Sequence, residues 1–191
     1  MKYTRIREVK APVHEHKQDA GIDFFLPEVT EEYVEEVGRL NTNLISYSTK
    51  DTLSDFDMDE EDGFTPRVGY SVEDNTLLLL PNALYKIPLG VKIEVPWNSA
   101  LIAKEKSGVS VKQTLGIVGG VIDSGYEGEL ILLVQNKSRE KELVLKGGQK
   151  LAQFILIPVI TPTISLEEVD LPEIHRNSSS RGEGGFGSTG A

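Results

Sequence analysis

Residues 116–136 read GIVGGVIDSGYEGELILLVQN. Two apolar runs, Val121-Ile122 and Leu130–Val134, flank a polar, glycine-rich turn, and Asn136-Lys137-Ser138 closes the second run. Neither run is long enough for an amphipathic helix, and both are bounded by turn residues, so they read as strands. The same grammar extends in both directions. Leu77–Leu80, Tyr85–Val95 and Ala100–Ala103 come before; Glu142–Leu145 and Leu151–Val159 follow, with turns at Pro96-Trp97-Asn98 and Gly147-Gly148. Many short strands at this spacing predict an all-β sandwich, barrel or jelly roll. One segment has helical spacing: Val29, Tyr33, Val37 and Leu40, with Gly38 as the expected stop. From Asn41 to Tyr70 the pattern fades into expected loops or partial disorder. Residues 161–180 read as an arm, and 181–191 as a glycine-rich tail.

The chain has 191 residues and a formal net charge of −10, long enough to bury a real core. Its hydrophobic fraction of 39% places it among soluble globular proteins. There are no cysteines, so disulfides and thiolate zinc sites are excluded. No apolar run reaches the roughly 18 residues of a membrane helix. The polar start, Met1–Lys10, shows no secretory signal, and a cytoplasmic location is expected. An acidic chain is poorly suited to coating DNA or an anionic membrane. The acidity is local, however. Residues 28–75 hold 14 acidic and three basic side chains, a charge of −11, leaving +1 for the rest. This composition shift reads as an insertion or solvated excursion from a nearly neutral domain, whose pockets can still accept a small polyanion.

Several segments carry candidate chemistry. Gly119-Gly120 permits a tight turn whose backbone can bond a ligand edge. Asp123 follows at a strand end and suits a general base, although a turn aspartate paired with a backbone N–H is the ordinary reading. Tyr126 reads equally as a core aromatic. Lys106-Ser107-Gly108 offers a cation, a hydroxyl and a glycine after a strand, which suits phosphate or a plain surface turn. Asp19 and Asp23 share a face in a strand-like setting, for a metal-related role or a lysine pair. Gln153 lies in an apolar strand and needs a polar partner. The tail RGEGGFGST at 181–189 is either disordered or a flap. As a flap, its backbone N–H groups, Ser188, Thr189 and Arg181 would meet phosphates, and Phe186 would stack on a base. Other signals fail. His14-Glu15-His16 is too short for zinc, and the acidic run 55–63 has the wrong register for a calcium loop. No P-loop or nucleophile-elbow pattern occurs.

The order of these segments is more specific than any one of them. DAGIDFF (19–25), KSGVS (106–110), GGVIDSGYEGEL (119–130), GGQKLAQ (147–153) and RGEGGFGST (181–189) closely resemble the five ordered motifs of the trimeric dUTPase family. The resemblance covers about two-thirds of the chain, and the long excursion is similar to that of some phage-encoded members. It implies a single domain over 1–191 with a jelly-roll-like fold, including the helix-containing acidic insertion (28–75), the arm (161–180) and the flap (181–191). It implies a homotrimer that hydrolyses dUTP to dUMP and pyrophosphate with Mg²⁺ in the cytoplasm, a host cytoplasm if phage-encoded. That activity keeps uracil out of DNA and supplies dUMP for thymidylate synthesis. Asp123 would activate the water and Tyr126 would pack under the deoxyribose. Gly119, Gly120 and Ile122 would read uracil. Lys106, Ser107, Gly108 and Gln153 would meet phosphates, and Asp23 would hold the metal through water. Arg181, Phe186, Gly187, Ser188 and Thr189 would close the site. Lys106 departs from the family's usual arginine, keeping the charge and losing the bidentate fork. Two alternatives stand beside this: a regulatory dUTPase whose acidic insert docks a protein partner, and a relative of dCTP deaminase.

Overall fold

The computed structural model describes residues 1–41, 46–48, 68–106, 108, 114–160 and 163–168, with backbone alone for 46–48. The chain divides into two units, Met1–Val159 and Ile160–Ala191. In the second, Thr163 bonds back to the Ile160 carbonyl through its N–H (2.9 Å), and Leu166 is exposed.

The first unit is built from strands, as expected. They are β1 (Tyr3–Arg5), β2 (Ile22–Phe25), β3 (Ser46–Ser48), β4 (Val68–Ser71), β5 (Thr76–Leu79), β6 (Leu84–Pro88) and β7 (Val91–Ile93). Then come β8 (Ser99–Lys104), β9 (Leu115–Ile117), β10 (Val121–Asp123), β11 (Ile131–Asn136), β12 (Leu143–Lys146) and β13 (Lys150–Pro158). Among the described residues they form four sheets, ordered β1-β7, β10-β8-β13-β2, β6-β11-β9 and β12-β5-β4-β3. The apolar run Tyr85–Val95 is broken in two because Gly90 adopts φ +69°, a left-handed turn that glycine accepts without steric penalty. Alternation then sets the faces. In β11, Leu132, Val134 and Asn136 point inward; in β5, Leu77 and Leu79 do. Asn136 is fully buried among these apolar neighbours, and its Nδ2 donates to the Leu79 and Lys141 carbonyls (3.0 and 2.9 Å).

Helix α1 (Glu31–Leu40) changes the picture of the acidic segment. Thr30 caps it, its side chain accepting from the Tyr33 N–H at 3.2 Å, with Glu31 and Glu32 in the first turn. It does not stop at Gly38 but runs to Leu40. The stop is Asn41, whose Nδ2 donates to the Val37 and Lys86 carbonyls and whose Oδ1 accepts from the Lys86 N–H. Val29, Tyr33, Val34 and Val37 belong to the main core, and Val68 of β4 joins it from the far end of the excursion. Residues 29–41 are therefore packed structure rather than a solvated excursion, and the helix's apolar stripe is occupied by its own domain. Residues 42–45 and 49–67 lie outside the described residues. No helix among the described residues is long and apolar enough to cross a membrane.

Candidate active site

The sheet β10-β8-β13-β2 and the turns at its strand ends carry the candidate residues that are described. Its register pairs Asp123 with Ala100, Ala100 with Ile157, Lys104 with Gln153, and Gln153 with Asp23. Residues opposite one another share a face, as do residues two apart. Asp123, Val121, Gln153 and Asp23 thus lie on one side of the sheet. Leu101, Ala103, Phe154 and Phe24 are buried on the other side, in the core.

One end of this face is polar and tightly connected. Asp23 is 3% exposed, and one carboxylate oxygen, Oδ1, accepts from Lys106 Nζ. The other oxygen, Oδ2, is 3.0 Å from Lys150 Nζ but accepts no aligned hydrogen bond among the described residues. Burial pushes this carboxyl upward; the two lysines overcome that and hold it below the usual carboxylate range. Lys150 also bonds Glu15, which places the His14-Glu15-His16 segment in an ion pair. Gln153 Nε2 donates to the Glu105 carbonyl (3.2 Å), and its Oε1 lies where a Cβ on Gly21 would come within 2.8 Å. A larger residue at 21 would have to displace the glutamine amide from this position. The Glu105 carboxylate in turn accepts from the Ile117 N–H (3.2 Å). Gly108 is exposed just beyond β8. Ser107, Arg181, Phe186, Gly187, Ser188 and Thr189 lie outside the described residues.

The other end carries the putting-in of a second set of groups by the turn after β10. Asp123 is exposed, and its carbonyl accepts from the Tyr126 N–H at 3.1 Å, closing a turn. Tyr126 is 40% exposed, and its hydroxyl donates to the Glu129 carbonyl (2.6 Å). Ile122 is half-buried against the core. Gly120 accepts from the Ala103 N–H (2.7 Å), and a Cβ there would meet Ala103 Cβ at 2.5 Å. Only a glycine allows this close approach; at Gly119 the nearest atom would be an ordinary 3.6 Å away. An open cleft of about 430 Å³ runs beside this turn, lined by Tyr3, Lys92, Ser124 and Tyr126 among others. It reaches neither Asp123 nor the lysine–aspartate cluster.

The two ends are far apart within one chain. From Asp123 to Gln153 is two strand spacings of about 4.8 Å sideways and four residues of about 3.3 Å lengthwise, about 16 Å in all. Between them the face is apolar: Val121 and Ile157 are exposed, and Ile102 and Ile155 are half-buried.

Among the described residues no three His, Cys, Asp or Glu side chains cluster as a metal site. Asp23 is a poor direct metal ligand because two ammonium groups already face its carboxylate. Its Oδ2 is closed off from solvent beside Lys150, so a metal-bound water could bond it only if that lysine gave way.

Lys150, Glu105, Arg7 and Glu129 were not singled out by sequence reasoning. Lys150 was legible only as part of GGQKLAQ. Glu129 was likewise legible only as part of GGVIDSGYEGEL, and Arg7, 122 positions from it, carries no local signal.

A protein-family model described as dUTPase matches residues 69–190. Relatives named deoxyuridine 5'-triphosphate nucleotidohydrolase include one from Gloeothece citriformis, 34% identical over 122 residues, covering 63% of this chain and 78% of the relative. Another, from Paramecium bursaria Chlorella virus 1, is 32% identical over 124 residues, covering 64% of this chain and 82% of the relative. A solved structure of a Staphylococcus bacteriophage 80alpha dUTPase mutant with dUpNHpp superposes with a TM-score of 0.65 at 21% identity, covering 100% of this chain and 98% of that one. The dUTPase of phage phi11 of S. aureus, as a mutant described with a structural Mg(II) ion, has a TM-score of 0.59 at 20% identity, covering 88% of this chain and 95% of that one.

Proposed function

The chain belongs to the dUTPase family and hydrolyses dUTP to dUMP, and we propose that it does so in sites assembled from separate copies of itself. The observation that carries the proposal is the separation of Asp123 from Gln153. A general base must lie within about 3 Å of the proton that it takes, directly or through one water. Asp123 and Gln153 of one protomer, about 16 Å apart, cannot attend the same α-phosphate. Supplied by two protomers, they can. The apolar face that separates them, with Val121 and Ile157 exposed, supports burial against a second copy. A homotrimer satisfies both requirements.

In this reading Asp123 orients a water and takes its proton as the oxygen attacks the α-phosphorus. The bond from that phosphorus to the bridging oxygen breaks, and pyrophosphate leaves. Tyr126 packs under the deoxyribose, leaving no room for a 2′-hydroxyl. The backbone of Gly119–Ile122 reads the uracil edge. Lys106, Ser107, Gly108 and Gln153 from the neighbouring protomer hold the phosphates. Arg181, Phe186, Gly187, Ser188 and Thr189 close over the nucleotide, with Phe186 on the base. Mg²⁺ carried by the triphosphate would offset its charge, and Asp23 would hold that ion through a water.

The test is complementation. Asp123→Asn and Gln153→Ala homotrimers should each lose turnover, the first by about 10²–10⁴-fold. Unfolded and refolded together, they should regain pyrophosphate release from dUTP, because hybrids contain sites with both wild-type groups. No recovery in verified hybrids would place both groups in one protomer's site. Near-normal turnover by Asp123→Asn would remove it as the base.

A further inference from the structure

Tyr126 is held from beneath by a network that ends in the acidic segment. Its hydroxyl bonds the Glu129 carbonyl, and a Cβ on Gly128 would come within 2.5 Å of the same hydroxyl, so the ring lies against the 128–129 backbone. The Glu129 side chain is nearly buried and fully engaged. Arg7 donates to it through Nε (3.1 Å) and Nη2 (3.0 Å), and the Gly90 N–H donates at 2.7 Å. A planar two-point clamp of this kind fixes orientation as well as position. The next residue is pinned too: the Leu130 N–H donates to the Val91 carbonyl, and its carbonyl accepts from Leu89. The same Arg7 Nη2 lies 3.7 Å from Glu36 of α1, which is itself clamped by Arg39. Helix, N-terminal segment and Tyr126 turn therefore meet at one guanidinium.

We propose that Arg7 and Glu129 are positioning residues that fix the Tyr126 ring for selecting deoxyribose over ribose, and that α1 reinforces them through Glu36. The proposal rests on reading Tyr126 as the sugar platform. On that reading the ring would exclude a 2′-hydroxyl by steric contact, so a ring whose support loosens should admit it before the site loses hydrolysis of dUTP. The effect belongs to the ratio of kcat/KM for dUTP to that for UTP. Both rates come from one preparation, so the ratio does not depend on the fraction folded, and a purely structural role would leave it unchanged.

The experiment measures this ratio in the full-length chain. Arg7→Met keeps the aliphatic stem, and Glu129→Gln keeps the shape. Each should lower the ratio by about tenfold, in line with the steep cost of sub-ångström misplacement. Arg7→Lys, with one ammonium in place of the fork, should fall between wild type and Arg7→Met, and gives the same readout if Arg7→Met does not accumulate. Glu36→Gln should lower the ratio by less. Adding it to Arg7→Met should change nothing more, because its effect passes through Arg7. An unchanged ratio in Arg7→Met, Arg7→Lys and Glu129→Gln would overturn the positioning role. Additive effects of Glu36→Gln and Arg7→Met would overturn the link to the helix. A wild-type enzyme that hydrolyses UTP as well as dUTP would instead overturn the sugar-platform reading.

Discussion

Replacing Tyr33 tests whether the acidic segment's helix is part of the core. Tyr33 is 2% exposed, and its hydroxyl donates to the Pro88 carbonyl at 2.9 Å. Burial drives the phenol pKa well above its ordinary value, so it remains a neutral donor. Tyr33→Phe removes one buried hydrogen bond, at about 1 kcal/mol. Tyr33→Ala removes the ring as well. An aromatic side chain buries roughly 150–250 Å², which at about 25 cal/mol per Å² sets an upper estimate of roughly 4–6 kcal/mol. Measured truncations of this kind run about 3–5 kcal/mol. Glu35, exposed on the opposite face, is the control, and Glu35→Ala should stay within about 0.5 kcal/mol. The assay is urea unfolding at one fixed protein concentration, because the stability of an assembly depends on concentration. The order should be Ala far below Phe, with Phe slightly below wild type. A Tyr33→Ala cost under about 1 kcal/mol would refute the packing argument. So would equal costs for Phe and Ala, which would put the whole effect in the hydroxyl.

Two further outcomes follow from the geometry. Gly120→Ala should push β10 away from β8, because the new methyl would meet Ala103 Cβ at 2.5 Å. We expect a destabilisation of about 1–3 kcal/mol and a raised KM for dUTP, with Gly119→Ala nearly silent in stability; equal destabilisation at the two glycines would contradict the close approach. Glu36 is held below the ordinary carboxylate range by its hydrogen bonds from Arg39, against the opposing effect of burial. Its contribution to stability should therefore be complete above the unfolded value of about pH 4.3 and disappear as pH falls through the lower folded value. Glu36→Gln should flatten that acid limb of the unfolding profile, and an unchanged limb would assign it to other carboxylates.

The parts of the fold that were legible are those where local pattern and tertiary role agree. β10, β11 and β13 are short apolar runs between turn residues, and they are strands. The break at Gly90 was signalled by Pro88 and Gly90 inside the alternating run Tyr85–Val95, and the run reads as one strand only if those two residues are passed over; Gly90 supplies the left-handed turn that separates β6 from β7. β4 was missed because Val68–Ser71 sits at the end of a long polar stretch. The site divides similarly. Asp123, Tyr126 and Gln153 stand inside recognisable motifs. Lys150 and Arg7 act through partners more than a hundred positions away, a pairing that no local pattern encodes.

The acidic segment shows why net charge misled. Charge is a sum over a stretch of chain, whereas packing depends on which face each side chain occupies. In α1 the exposed face holds Glu31, Glu32 and Glu35, while Tyr33, Val34 and Val37 are buried. Averaged over 28–75, the glutamates dominate and the segment reads as solvated. Resolved by face, the same residues form a helix whose apolar stripe completes the core. One of its acidic groups, Glu36, reaches past that stripe to Arg7. A cation clamped by Glu129 and approached by Glu36 is stabilised by carboxylates from both the helix and the Tyr126 turn, and its pKa is raised mainly by its hydrogen bonds to Glu129. The acidity at this end of the segment is thus built into the support of the Tyr126 turn, and removing residues 28–75 whole would remove core and support together. The informative deletion is a shorter one that leaves 29–41 and 68–75 in place.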